Sequence, residues 1–429
     1  MPRRLQASLG LIAAALALAA CSGSSSAPTS GPAVFSSAPT GSQTTPVPSA
    51  PPARLARRTA ARYITALALG HAAQARSLAA AQGADGTHSL EQLARWLDDV
   101  PVARVDVKAS ASARPPDAPA GDVAVSLALR ARLASRAGTG WVPLGTRVLV
   151  LAPGGAGWRV AADATSNPAL AVEPSGLSVF AHPHVLRGAH VTVAYGPGQA
   201  RLQADEVRRF ANAAVPDIHG TYGGGTAAAD PLVFLVATRE QAAQLIGRDV
   251  GQALPVGSVA GSFAYIFLRQ YRRVDPAGRG GAVTALITML ATRLSLAHAP
   301  TSLRVGVASY EENRYLNHQG YVLPLDRIAA VYPDYPALRR WTNRDSLWGL
   351  RGPAQQLAAE DALAMVHVIL TRHGGAPAVR RLGKAFRHVG SDVTTADVRR
   401  AFQQGLGVSF ATVAGEAHAY AKGGSWKFG

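Results

Sequence analysis

The sequence predicts an α+β protein: N-terminal helices and a curved antiparallel sheet, then a second part in which a mixed sheet gives way to a mostly helical half. Three observations carry this. Residues 123–129 alternate, with Val123, Val125, Leu127 and Leu129 on one face, as in a half-buried strand. The run Pro-Leu-Val-Phe-Leu-Val-Ala at 231–237 has no polar face and reads as a buried strand. From Ala299 onward, apolar residues recur at helical spacing.

The chain has 429 residues, enough for two domains and a tail, and 48% of them are hydrophobic. Its net charge is +17, yet only Lys108, Lys384, Lys422 and Lys427 are lysines. The arginines are scattered, without the basic and aromatic clustering that stacks bases, so no nucleic-acid partner is expected. A summed positive field of this size instead suits weak attraction to anionic lipid or cell-wall polymer.

The order of elements begins with a targeting segment at 1–21. Arg3 and Arg4 precede an apolar run from Leu9 to Ala17 that is too short to span a bilayer. Leu18-Ala19-Ala20-Cys21 follows, then Ser and Gly. This tetrapeptide resembles the lipobox of bacterial lipoproteins. The resemblance implies cleavage before Cys21 and lipid attachment to its sulfur, giving an extracytoplasmic protein anchored to the outer face of the cytoplasmic membrane. Cys21 is the only cysteine, so the rest of the chain has neither a disulfide nor a thiolate metal site. Residues 22–52 are mostly Ser, Thr, Pro, Gly and Ala and read as a disordered tether.

Residues 53–165 read as two helices, 53–70 and 88–100 with Ser89 as N-cap, and then strands within 102–163 closed by a hairpin at Ala-Pro-Gly-Gly-Ala-Gly. This order resembles the cone-shaped fold of the ketosteroid-isomerase superfamily, whose members sometimes hold a ligand. Here the inward positions are Val, Leu and Ala, which favours a structural or docking module. Residues 166–186, with three prolines, read as a connection. The second domain, 187–429, is expected to contain a strand, an amphipathic helix from Ala200, a buried strand, a helix capped by Thr238, one or two strands in 258–268, a helix over 282–297 and five further helices.

The central motif lies at Thr284-Ala285-Leu286-Ile287-Thr288-Met289-Leu290-Ala291-Thr292-Arg293, followed after a short loop by Ser302-Leu303-Arg304-Val305-Gly306-Val307-Ala308-Ser309-Tyr310. Zincins place H-E-x-x-H on a helix so that two imidazoles share one face and a glutamate activates the metal-bound water. In gluzincins a second helix supplies a third, carboxylate ligand. The two segments resemble the peptidase MA-like gluzincin domains of bacterial lipoproteins, with Thr284, Thr288, Ala291, Thr292, Arg293, Gly306, Ala308 and Tyr310 in register. The resemblance places Ala285 and Met289 where the histidines belong, Leu286 at the glutamate and Val305 at the third ligand. Such a site holds no zinc, and no catalytic residue, cofactor or metal is expected. A cleft bordered by an edge strand near 263–268 could still accept an extended peptide or protein by strand addition.

Two other readings stay open. A hydrolase could use a non-standard site drawn from His182, His184, His298, Glu311 and Glu312. However, Pro183 between the two histidines suits a surface loop, and Glu311 lies about 9 Å along a helix axis from Val305, with Glu311 and Glu312 suiting a solvated helix face. A small-ligand carrier could use the N-terminal cone. His367, in Ala-Leu-Ala-Met-Val-His-Val-Ile-Leu, reads as a core histidine. No G-x-S-x-G elbow and no phosphate-binding glycine loop is present.

Overall fold

The structure, a computed structural model, describes residues 51–80, 102–133, 141–155, 157–165, 170, 184–196, 200–222, 231–246, 256–260, 263–293, 295–321, 338–342, 353–389 and 392–422. Cys21, residues 22–50 of the expected tether, the expected helix at 88–100 with Ser89, and His182 lie outside these residues, while residues 51 and 52, expected to end the tether, already belong to a helix.

Helix α1 (Pro51–Ala68) places Ala56, Ala60, Tyr63 and Ile64 on one buried face, at the 3–4-residue spacing that makes one side of a helix apolar. The short helix α2 (Ala72–Leu78) follows. Strands β1 (Val102–Ala111), β2 (Val123–Leu133), β3 (Val142–Gly154) and β4 (Gly157–Asp163) form an antiparallel meander in sequence order. Register shifts at Val102/Arg104, Leu129/Arg130 and Val150/Leu151 act as bulges that increase local twist. The expected β3–β4 hairpin closes on the pair Gly154 and Gly157, and Gly157 has a φ of 145°, which an L side chain rarely adopts.

A second sheet contains β5 (His184–Arg187), β6 (Thr192–Tyr195), β7 (Leu232–Val236), β8 (Gly257–Ala260) and β9 (Phe263–Phe267), in the order β5-β6-β7-β9-β8. Strands β6, β7 and β9 are parallel, while β5 and β8 pair antiparallel at the two edges. Strand β5 begins inside the stretch expected to be a connection. The sequence expectation of an edge strand at 263–268 is also corrected. Strand β9 lies between β7 and β8, Leu268 already begins a helix, and the outer strand is β8.

The central three strands are buried throughout, and their alternation divides them between two cores. Val193, Val233, Leu235, Ala264 and Ile266 join the core of the helical half. Ala194, Phe234, Val236, Phe263, Tyr265 and Phe267 join one contiguous apolar core with α1 and the first sheet. The first sheet therefore does not enclose a core of its own; the second sheet forms one wall of it.

On the other face lie α3 (Ala200–Tyr222), which continues through Pro216, and the central helix α6 (Pro276–Thr292). Helix α4 (Arg239–Ile246) is capped as expected, with Thr238 Oγ1 accepting from the Gln241 amide at 3.1 Å. Helix α5 (Leu268–Arg273) precedes α6. Helix α6 starts six residues before the expected 282 because Asp275 caps it, accepting from the Gly278 amide at 3.0 Å, with Pro276 in the first turn. It is apolar on nearly every side, as a helix enclosed by others must be. Helices α7 (Thr301–His318), α8 (Pro353–Arg372), α9 (Gly375–Ala385), α10 (Thr395–Leu406) and α11 (Phe410–Lys422) complete the half. Trp341, Phe402 and Phe410 pack edge-to-face in its core. A reciprocal capping box between Thr394 and Asp397 starts α10, and Gly407 ends it at a φ of 73°.

Candidate functional site

Helices α6 and α7 form an antiparallel hairpin whose register is set by missing side chains. A Cβ on Gly280 would lie 2.2 Å from the Tyr315 hydroxyl, and one on Gly281 would lie 3.2 Å from Glu312 Cγ. Glycines on α6 therefore admit the large side chains of α7. From this contact, Ala285 lies one turn and Met289 two turns further along α6. Val305 lies two turns back from Glu312 on the same stripe of α7.

The environment of these positions is apolar and closed. Ala285 is 4% exposed, Leu286 2% and Val305 2%; Met289 is half-buried. Leu286 joins Val283 and Ile287 in the main helical core. Val305 packs with Ala358 and Ala362 of α8. One residue on, a Cβ at Gly306 would lie 2.5 Å from the Ala362 carbonyl oxygen, so α8 crosses α7 at backbone contact. Thr284, Thr288 and Thr292 donate their hydroxyls to the carbonyls of Gly280, Thr284 and Thr288 at 2.9, 2.8 and 2.7 Å. Buried hydroxyls in such a helix need acceptors, and these find them one turn back.

The expected solvated face at Glu311 and Glu312 is corrected. Glu311 is 1% exposed because the end of α3 crosses α7 there. Tyr222 donates to Glu311 Oε1 at 2.7 Å, and Arg314 Nε donates to Oε2 at 2.8 Å. Arg314 also pairs with Asp217, which closes the network toward solvent. Burial pushes the Glu311 carboxyl up, with Arg314 opposing it, and burial beside Glu311 pushes the Tyr222 phenol well up. Glu312, against α6, is pushed up to about 7 by loss of solvent.

The structure does not bring the four described alternative residues, His184, His298, Glu311 and Glu312, together as one site. His184 lies on β5, at the sheet edge opposite β8, with its ring 5.3 Å from that of Tyr195, and it is therefore on a strand and not in a loop. His298 is exposed in the turns after α6. Glu311 is committed to Tyr222 and Arg314. Among the described residues no three of His, Cys, Asp and Glu form a metal-holding group. His367 is buried as expected. Its ring stacks on Tyr420 at 4.5 Å, and burial, aided by Arg372, lowers its pKa to about 4, so it is neutral at pH 7.

One polar cluster has only a faint signal in the sequence. Ser302 donates to the Arg340 carbonyl at 2.6 Å, and Arg340 Nη1 donates to Asp361 Oδ2 at 2.7 Å. Burial pushes Asp361 up to about 7, with Arg340 opposing. The signal is the Glu360–Asp361 pair inside 357–366, a stretch of α8 that is otherwise apolar. Its partner on a distant segment could not be found by spacing. In the N-terminal half, a hollow of about 340 Å³ opens between α1, α2 and β1, bordered by Arg62, Thr65, His71, Gln74 and Asp106.

No family model matches the chain, and no curated protein or solved structure shows significant similarity to it. What the geometry defines directly is a mixed α+β protein with two sheets and a helical half built around α6 and α7.

Proposed function

We propose that the protein is a bacterial extracytoplasmic lipoprotein, anchored through Cys21, whose second half is a gluzincin-like domain that has lost its metal site. It serves as a binding or scaffolding module at the cell surface. The observation that carries this reading is the burial of Ala285, Leu286 and Val305. These positions correspond to the first histidine, the general base and the third ligand, and each is 4% exposed or less. Support also comes from the order β9, α5, α6, turn, α7, and from the antiparallel strand β8 beside β9. Replacing every ligand by an apolar side chain avoids stranding polar groups in a dry interior. Binding by strand addition is not part of this reading, because Gly257 and Ser258 of the outer strand are buried and Val259 is half-buried.

The test is metal analysis of the purified full chain after incubation with zinc. Zinc well below one per chain is the expected result. One tightly held zinc per chain, lost in His298→Ala or Glu312→Gln, would replace this reading with that of a hydrolase with a non-standard site. A second reading, a small-ligand carrier, is favoured by the hollow between α1, α2 and β1. Native mass spectrometry of the purified chain tests it: a bound small molecule displaced by His71→Trp would establish it, and bare protein would remove it.

A further inference from the structure

Helix α1 is the first described element after the position expected to carry lipid, and its chemistry is one-sided. Arg54, Leu55 and Arg58 are exposed and Arg57 is half-exposed, with Arg62 continuing the row. At 100° per residue they share one arc, opposite the buried face of Ala56, Ala60, Tyr63 and Ile64. No acidic residue occurs anywhere before Asp85. Arg57 Nε donates to the Ala53 carbonyl at 3.3 Å, a bond within its own helix. Among the described residues, no ion pair involves Arg54, Arg57 or Arg58.

This placement does not serve the helix. The first turns of a helix carry partial positive charge and favour acidic side chains, yet α1 has none there and carries three arginines in its first two turns. Nor does it serve packing, since the side chains point away from the core. Leu55, 46% exposed, stands among them and reaches toward Gly157 of the β3–β4 hairpin. Arginines flanking an exposed leucine suit the boundary between headgroups and acyl chains, where guanidinium meets phosphate and the aliphatic stems lie in the less polar layer.

We propose that the arc Arg54–Leu55–Arg57–Arg58 is a docking surface for anionic phospholipid, which holds the folded body against the bilayer to which Cys21 anchors it. The proposal rests on the lipoprotein reading only for its biological setting; the surface itself is a property of α1. Residues 22–50 are all that separate Cys21 from α1, so this arc is the described surface nearest in sequence to the membrane. Opposite charge supplies the attraction, and it acts within about 8–10 Å at physiological salt.

The test uses the full chain with Cys21→Ser and a polarity-sensitive dye on Leu55→Cys. It is titrated with vesicles of pure phosphatidylcholine and with vesicles containing phosphatidylglycerol. The dye is expected to shift blue on the anionic vesicles and to return in high salt. At roughly fivefold per arginine, Arg54→Gln, Arg57→Gln and Arg58→Gln together weaken this binding on the order of 100-fold. The triple variant keeps Arg3, Arg4 and the leading apolar run, so the difference isolates α1, and matching circular dichroism shows that it folds. Equal shifts on both vesicle types, or a triple variant that binds like its parent, would overturn the proposal. So would tighter binding to an anionic cell-wall polymer through the same arginines. Mass spectrometry of Cys21 in the unmodified protein separately decides the anchor: a free thiol there removes the lipoprotein reading while leaving the vesicle result standing.

Discussion

The phenol of Tyr222, at the end of α3, donates a 2.7 Å hydrogen bond to Glu311 on α7, inside a closed network with Arg314 and Asp217. Because Glu311 is buried, its acceptor cannot turn to water when the donor is removed. Tyr222→Phe is therefore expected to destabilise the protein by about 1–3 kcal/mol, within the range for a hydrogen bond to a charged group. Urea denaturation followed by circular dichroism checks this. An unchanged midpoint would mean that Arg314 alone satisfies the carboxylate.

Glu312 gains proton affinity on folding, from the ordinary 4.5 to about 7. Between those values Glu312 holds its proton more tightly in the folded state than in the unfolded one, so its contribution to stability is greatest below about pH 4.5 and falls as pH rises toward 7. Glu312→Gln removes this titration. It is expected to be about 1–2 kcal/mol more stable than the parent at pH 8 and to show a shallower decline from pH 5 to 7. Asp361, pushed up to about 7 beside Arg340, titrates in the same window and leaves part of the slope in place. A parent and variant with parallel stability profiles would mean that Glu312 reaches solvent freely.

Gly306 lies where α7 and α8 approach at backbone contact. Gly306→Ala brings a Cβ to 2.5 Å from a backbone oxygen and 2.7 Å from Val366 Cγ2, and neither neighbour is the free end of a flexible chain. The helices must separate, at a cost of about 1–3 kcal/mol or more. Gly220→Ala, on α3 with no atom within 4 Å of its Cβ, is the contrasting case and should be neutral or slightly stabilising. Thermal denaturation of the pair distinguishes a packing effect from a general effect of replacing helical glycine.

If α6 and α7 keep a metal-site register, ligands can be returned to it. Ala285→His and Met289→His put two imidazoles one turn apart, and Val305→Glu adds a carboxylate from the facing helix. The triple variant loses stability through overpacking but is expected to regain it on zinc addition, with one zinc per chain, because a ligand that binds only the folded state raises its melting temperature. A variant that folds by circular dichroism yet gains nothing from zinc would remove the gluzincin register from the proposed function.

Much of the architecture was legible in local sequence. Alternation marked β2, and the unbroken apolar run marked β7. Helix α8 falls at the expected 353–372, and the Thr238 cap lies where its side chain and the following Gln241 imply. Each of these depends on residues a few positions apart, and their spacing is visible in one dimension. The neighbour relations were not visible. The unbroken apolar run of β9 shows that it has two buried faces but not which strands flank it, so the edge was placed one strand too far in.

The carboxylates at 311 and 312 illustrate the same division. Sequence by itself determined the apolar identity of 285, 286, 289 and 305, the single cysteine, and the acid-free arginine row of α1. Only the tertiary structure decided that Glu311 is buried, since Tyr222, which donates to it, and Asp217, which pairs with the Arg314 that also donates to it, come from a helix about ninety positions earlier. It also decided that one sheet serves two cores. Burial and pKa depend on what approaches a side chain in space, and long-range approach is set by packing of whole elements, which no local pattern encodes.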